Sequence, residues 1–472
     1  MMPASLTVLR HSLQHTLLGA TLILTQTGIA GPTAKPVVQP AFTPAERAAI
    51  VAWWAQPNRY QTSIDLGAHG PFCVRLTADA SRWFLKYQIA VGQARMPPTQ
   101  DASGTTATTQ SWEQWVQARV AWDRYQAAQV AAAANARFGA TPSTAPATSP
   151  PQPGPAPDGL VAACGNPPPF AEAVDPMDYT VDFPDGSTYR YQDHVPVRPR
   201  FAYYRFAEGV DTGGVPVRSL GASELDPLFA VAGLNRSEQR VMKAVSMQEG
   251  GFDSINTYDT GFVSVGFLQF ITMGDGHQSL TDVLAREKAD DPTAFQSDFR
   301  QYGIDVNARG DLDVIDPDTG AELTNQDAVQ KLIDDKRLIA VFQHAGQLGR
   351  AFRVAQIEMA KQLYWPANLT FSVVVNGVTL TGKVSDVIHS EAGLTTLFDR
   401  NVNRGSIDPF AAVCQEVMLE HDLATIPQLA PWEREIVHKL AYRANYLKYT
   451  WLSQPPQLPT TVGAGVADPA VP

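Results

Sequence analysis

Residues 141–158 read TPSTAPATSPPQPGPAPD, with seven prolines among small and polar residues. Proline fixes φ and offers no amide donor, so such a run joins neither a helix interior nor a central strand. It holds too little apolar side chain to build a core, and its composition is that of an extended, semi-stiff spacer. GNPPPF follows at 165–170. These prolines predict a linker over 140–168, between a smaller body at 42–139 and a larger one at 169–455. At 472 residues the chain can hold two or three bodies with their own cores. The segment 456–472 is rich in Pro, Gly and Ala and is expected to take no fixed structure.

The first thirty residues have the three parts of an export signal. Arg10 and His11 precede the apolar run TLLGATLIL, and small residues surround Ala30. A signal peptide over 1–30 places the mature protein outside the cell or in the periplasm. The apolar run falls short of the about 20 residues that span a bilayer, so no stable membrane insertion is expected. A net charge of −11 and the lack of a basic cluster argue against a nucleic-acid partner. The three cysteines, Cys73, Cys164 and Cys414, have no metal-ligand spacing. They allow one bridge, Cys73 to Cys164, with Cys414 a buried thiol, and equally allow three thiols.

The smaller body reads as helical. Thr43 and Glu46 have capping-box spacing, and residues 111–138 keep helical character with Trp115, Ala118 and Trp122 along one side. In the larger body YTVDF and STYRY flank Pro184-Asp185-Gly186, and Asn376-Gly377 joins two alternating runs, both hairpin signals. Asp316-Pro-Asp-Thr-Gly320 reads as a turn between short strands, since it lacks the ligand spacing of a calcium loop. Elsewhere helical patterns dominate. The fold class is α+β, predominantly helical, with short β-hairpins.

One stretch concentrates chemistry. The helix LNRSEQRVMKAVSMQE, capped by Asn235 and Glu238, has Val241, Ala244 and Val245 on its apolar side. Glu249 falls on that same side, and Gly250-Gly251 stop the helix immediately after it. Partial burial and the negative end of the helix dipole both favour a protonated carboxyl there, as a general acid for glycosidic cleavage requires. Asp259 follows ten residues later, and the alternation around Ser264 predicts a hairpin strand returning over the helix end. A second carboxylate is what such chemistry needs to hold a water or stabilise an oxocarbenium-like centre.

The order helix–Glu–Gly, then Asp-Thr, then Gly-aromatic-x-Ser-Val-Gly resembles the catalytic signature of phage-type lysozymes. The resemblance implies a lysozyme-like catalytic domain in which Glu249 is the acid and Asp259 and Ser264 position the attacking water. Two departures stand out: the Glu-to-Asp spacing is one residue longer, and Ser replaces Thr. VGFLQF is closer to the Gly-x-x-Gln element of lytic transglycosylases and goose-type lysozymes, which implies a groove-lining role for Gln269. FRVAQIEMAKQLYWPA and AGLTTLFDRNVNRG are similar to later helices of the chitosanase-like branch. Tyr258, Phe267 and Asn401 complete the candidate substrate-binding set. On their own pattern Gln356 should bond inside the core, Asn401 could do so or face a groove, and Asp399 should partner a nearby arginine or sit on the surface.

These residues point to a monomeric, secreted hydrolase of a β-1,4-linked amino-sugar polymer, peptidoglycan first, with no metal and no organic cofactor. A chitosanase, a lytic transglycosylase and a non-catalytic envelope-binding protein on the same fold are the alternatives. HExxH, GxSxG, the P-loop and the dinucleotide glycine fingerprint are all absent.

Overall fold

The computed structural model describes residues 40–62, 72–95, 102–139, 148–175, 177–192, 209–257, 261–273, 278–440, 442 and 444–457. The expected signal at 1–30, most of the expected tail, and both Tyr258 and Asp259 lie outside these. Helices predominate among the described residues, and the strands form small sheets of two to four. None of the helices is long and apolar enough to cross a membrane. The described residues divide into two compact units: Ala41–Leu228 with Glu249–Met359, and Phe229–Gln248 with those from Ala360 onward.

The first unit does not follow the boundary that the prolines suggest. Its opening helix, Pro44–Trp54, carries the expected reciprocal cap: the Thr43 amide donates to Glu46 at 2.7 Å and the Glu46 amide to the Thr43 hydroxyl at 3.2 Å. This helix docks far along the chain. The Trp54 indole donates to the Tyr302 carbonyl at 3.0 Å, Glu46 pairs with Arg300 at 2.9 Å, and the Ala41 amide donates to Glu322 at 2.6 Å. Strand Tyr60–Thr62 then pairs with Asp178–Asp182, which turns through Pro184-Asp185-Gly186 into Thr188–Gln192. The segment at 42–139 is therefore part of the unit that holds residues 249–359. Proline spacing could not reveal this, because Trp53 and Trp54 find their partners, Phe183 and Tyr302, only in three dimensions.

The long helix Ala102–Phe138 buries Trp112, Val116, Val120, Asp123, Ala127, Ala131 and Asn135. That stripe lies one residue round from the expected side: Trp115 and Trp122 are half-buried and Ala118 is exposed. Two buried polar groups fix its register. Asp123 accepts from the Phe170 amide at 2.7 Å and from Arg119 at 2.8 Å. Asn135, fully buried, accepts from the Phe72 amide and donates to the Phe72 carbonyl at 3.0 Å, as a paired strand would. Asn135→Ala strips both partners and should lower the unfolding free energy by about 1–3 kcal/mol, read from a denaturant midpoint at unchanged m-value.

The expected spacer is docked. Pro150, Pro153 and Ala156 are half-buried at intervals of three, the period of a polyproline II helix, and the Trp115 indole donates to the Gly154 carbonyl at 2.9 Å. Leu160, Cys164 and Phe170 then enter the core with Trp83, Phe84 and Trp112. Cys73–Leu76 pairs with Ala171–Val174, and no disulfide joins Cys73 to Cys164.

Further along this unit, Ile304–Val306, Leu312–Ile315 and Glu322–Thr324 form an antiparallel sheet. The Asp316 carboxylate takes the amides of Asp318 and Thr319 at 2.8 and 3.1 Å, making the expected turn. The helices Ser279–Asp290 and Pro292–Asp298 pack together. Between them Glu287, 1% exposed, is close enough to the Asp298 carboxyl to interact with it, and neither of its oxygens has a hydrogen-bond donor among the described residues. Burial first, and then Asp298, push the Glu287 carboxyl far above its usual range; Asp298 is raised as well. Raised together in this way, the two carboxyl groups favour keeping a proton in the folded state.

The second unit holds the Asn376-Gly377 hairpin, with strands Thr370–Val375 and Val378–Lys383 and φ of +51° and +79° at the turn. The inner face of this hairpin packs on Phe410, Val413 and Val417. Helix Glu391–Arg404 is buried nearly all round, although its sequence is rich in polar residues. It tolerates this because its hydroxyls bond back to its own carbonyls, Thr395 to Glu391 at 2.6 Å and Thr396 to Ala392 at 2.9 Å. Asp399 is fully buried there, which overturns a surface position, and it accepts from Asn403 at 3.1 Å and acts electrostatically on Arg400.

Candidate functional site

The helix that presents Glu249 runs Arg236–Glu249, with Asn235 and Glu238 exchanging the bonds of a capping box at 2.9 and 3.0 Å. Val241, Met242, Ala244, Val245 and Ser246 are buried, and Glu249 is half-buried at the last turn. The two glycines after it do more than stop the helix. Gly250 has φ +139°, and a Cβ on it would lie 2.8 Å from the Ser254 side chain. A Cβ on Gly251 would lie 2.1 Å from the Val215 carbonyl, and the Gly251 amide donates to the Gly213 carbonyl at 3.0 Å. The elbow is thus a close meeting of two backbones that any side chain would force apart.

Asp253 lies beneath the elbow and is 2% exposed. Its Oδ1 accepts from the Val215 amide at 2.8 Å and its Oδ2 from the Gln347 amide nitrogen at 2.7 Å. Gln347 in turn accepts from the Tyr189 hydroxyl at 2.9 Å. One helical turn earlier, Gln343 accepts from the Tyr191 hydroxyl and donates to the Thr212 hydroxyl at 2.8 Å. Burial raises the pKa of both tyrosines well above the ordinary phenol range, so each remains a donor. Beside them Asp185 accepts from His344 at 2.8 Å. Burial opposes its charge, yet bonds from Ser187 and His344 prevail and hold its pKa down to about 2.

From the elbow the chain forms the expected hairpin. Ile255–Asn256 pairs with Ser264–Val265, within a sheet completed by Asp211–Thr212 and Phe270–Ile271. The Ser254 hydroxyl donates to the Gly266 carbonyl at 2.8 Å and receives the Gln269 amide at 2.6 Å. A Cβ on Gly266 would meet Gln356 Oε1 at 2.1 Å. Gln356, fully buried, takes the Phe267 amide at 3.2 Å and donates to the Phe252 carbonyl at 3.0 Å, the internal bonding expected of it.

The structure therefore gathers Glu249, its elbow, Ser254 and Gln269 at one place, with Ser264 on the adjoining strand. Ser264 is 3% exposed, so its hydroxyl works from within the fold. Gln269, at φ +55°, turns its amide inward to Ser254 and to the Gly266 carbonyl, away from a groove-lining pose. Phe267 is 1% exposed against Phe252 and Phe270, which removes it from contact with a glycan. Asn401 belongs to the other unit, where it is 7% exposed and donates to the Tyr364 carbonyl at 3.0 Å. Tyr258 and Asp259 fall in the connection between the two hairpin strands, outside the described residues. Sequence reading missed Asp253, Gln343 and Gln347. Two glutamines four apart on an apolar helix, facing two tyrosines two apart on a strand, were the available signal.

Among the described residues, Glu420, His421 and Glu435 have the mutual spacing of a metal site. The Lys439 ammonium already reaches Glu420 at 2.7 Å and Glu435 at 3.7 Å, and His421 stacks on Trp432. In that cluster Lys439 already occupies the carboxylates that an ion would need, which makes it an ion-pair pin within the second unit. No family model, no curated protein and no solved structure matches the chain.

Proposed function

We propose that the chain is a secreted or periplasmic glycoside hydrolase with a lysozyme-like fold, cleaving β-1,4 bonds of peptidoglycan. Glu249 is the general acid, and Asp259 with Ser264 positions the attacking water. One observation carries this reading: a half-buried glutamate ends an apolar helix on a rigid diglycine elbow, and the chain runs from there into the paired strands Ile255–Asn256 and Ser264–Val265. A proton donor must be held against its acceptor within a fraction of an ångström, and an elbow locked by backbone contact does that. The burial of Ser264 narrows its part to holding another group of the site.

Soluble chitosan is the rival substrate, because the net charge of −11 attracts a polycation more readily than an anionic wall. Release of reducing ends from purified peptidoglycan, and not from chitosan, is the expected result. The reverse result reassigns the substrate, and cleavage of neither leaves an envelope-binding protein. An Asp259→Asn variant that kept nearly full turnover would reassign the reaction to a lytic transglycosylase, which needs no attacking water.

A further inference from the structure

We infer that Asp253, held by Gln347, is a positioning residue that sets the aim of Glu249 through the diglycine elbow. This rests on the reading of Glu249 as the acid. Asp253 cannot take the role of the second carboxylate itself, because it is 2% exposed and both of its oxygens are engaged. What it can do is fix the backbone around it. Its carboxylate lies between two glycines, and a Cβ on Gly214 or Gly251 would come within 2.3 or 2.7 Å of Oδ1. Its own Cα is equally enclosed, 2.5 Å from where a Cβ on Gly346 would stand. Three glycines thus make room for one carboxylate. Any shift of Asp253 is passed to Gly251 and Gly250, and the residue before them is Glu249.

Gln347 gives this anchor its direction. The Tyr189 hydroxyl donates to the Gln347 carbonyl oxygen, which leaves the Gln347 amide nitrogen to donate to Asp253. The Asp253 carboxylate sets the polarity: it only accepts, so the Gln347 nitrogen must face it and the Gln347 oxygen is left to take the Tyr189 hydroxyl proton. The chain from Tyr189 to Gln347 to Asp253 therefore has one satisfied arrangement. Through it the hairpin Asp178–Gln192 supports the elbow from outside the residues that would do chemistry.

Asparagine at position 253 keeps an acceptor for the Val215 amide but presents its nitrogen to Gln347, whose amide must flip and give up the Tyr189 hydroxyl proton. The charge-assisted bond to Gln347 is lost with it, and the elbow shifts. Asp253→Asn should lower kcat on the cleaved glycan by about tenfold to a hundredfold with KM unchanged, the signature of a misplaced catalytic group. Adding Gln347→Glu to the same chain restores a complementary pair. The introduced carboxylate accepts from both the introduced amide and the Tyr189 hydroxyl, and kcat should return to within about threefold of wild type. A purely structural role would move the melting temperature and leave the kcat against KM split untouched. If Asp253→Asn does not fold, Tyr189→Phe removes only the outer donor and should give a smaller loss of kcat in the same pattern.

Wild-type kcat in folded Asp253→Asn overturns the positioning role, even where Glu249→Gln is inactive. Full activity of Glu249→Gln instead sinks the reading of Glu249 itself, so the two failures are told apart.

Discussion

Glu249→Gln should lose glycan cleavage by about a thousandfold while unfolding at the same denaturant concentration as wild type, because general acid catalysis contributes about 10²–10⁴ in rate. The amide is nearly isosteric and preserves every contact that depends on shape, yet it has no proton to deliver to the leaving oxygen. Glu249 is half-buried at a helix end, so the substitution leaves the buried face of Val241, Ala244 and Val245 intact. Reducing-end release and an unfolding curve on the same sample separate chemistry from folding. Wild-type turnover in this variant would remove Glu249 from the mechanism, whatever the elbow looks like.

Glu287→Gln should stabilise the protein, and by an amount that grows with pH. The sign follows from the raised affinity of Glu287 and Asp298 for a proton in the fold. In the unfolded chain both carboxyls ionise near their ordinary values, while in the fold burial holds the proton on the pair. The folded state therefore binds more protons. Its stability is full below the unfolded carboxylate pKa and falls as pH rises from there through the raised value. The charged groups facing the pair act in both directions, with Asp291 strengthening the proton's hold and His344 opposing it at Asp298. Glutamine donates an N–H to Asp298 in place of that proton and does not titrate. Wild type and variant should match near pH 4 and differ by about 2 kcal/mol near pH 8, since a tenfold change in proton affinity is worth about 1.4 kcal/mol. Urea midpoints across that range test it, and parallel curves would show that the pair holds no proton.

Local features of the fold were legible because their causes are local. The capping boxes at Thr43 and Asn235, the Asn376-Gly377 turn and the turn at Asp316 each depend on a few neighbouring residues. Strands Tyr60–Thr62, Asp211–Thr212 and Ile304–Val306 were not legible, since each is two or three residues long and exists only through a partner elsewhere. The buried face of the long helix was misplaced by one residue. Tryptophan drew attention, but Asp123 and Asn135 hold the helix by bonding to backbone that sequence periodicity does not reveal. The candidate site divides in the same way. Glu249, the diglycine and the hairpin could be read in order along the chain. The inward turn of Gln269 and the anchor at Asp253 depend on Ser254 and Gln347, whose positions no spacing rule gives.

Strand Tyr60–Thr62 lies directly beside Asp178–Asp182, although more than a hundred residues separate them in the chain. Just beyond this junction Cys73–Leu76 and Ala171–Val174 pair in turn, so the outgoing and returning chains run alongside each other twice. The tryptophan-rich helices between are therefore inserted between two paired strands of a small sheet. Insertions whose ends meet can be gained or removed without disturbing the host sheet. The host is then a discontinuous body that begins with Pro44–Trp54 and resumes at Asp178. On that view the helical layer is the piece free to diverge in length and surface, while the hairpin carrying Tyr189 stays bound to the elbow it supports.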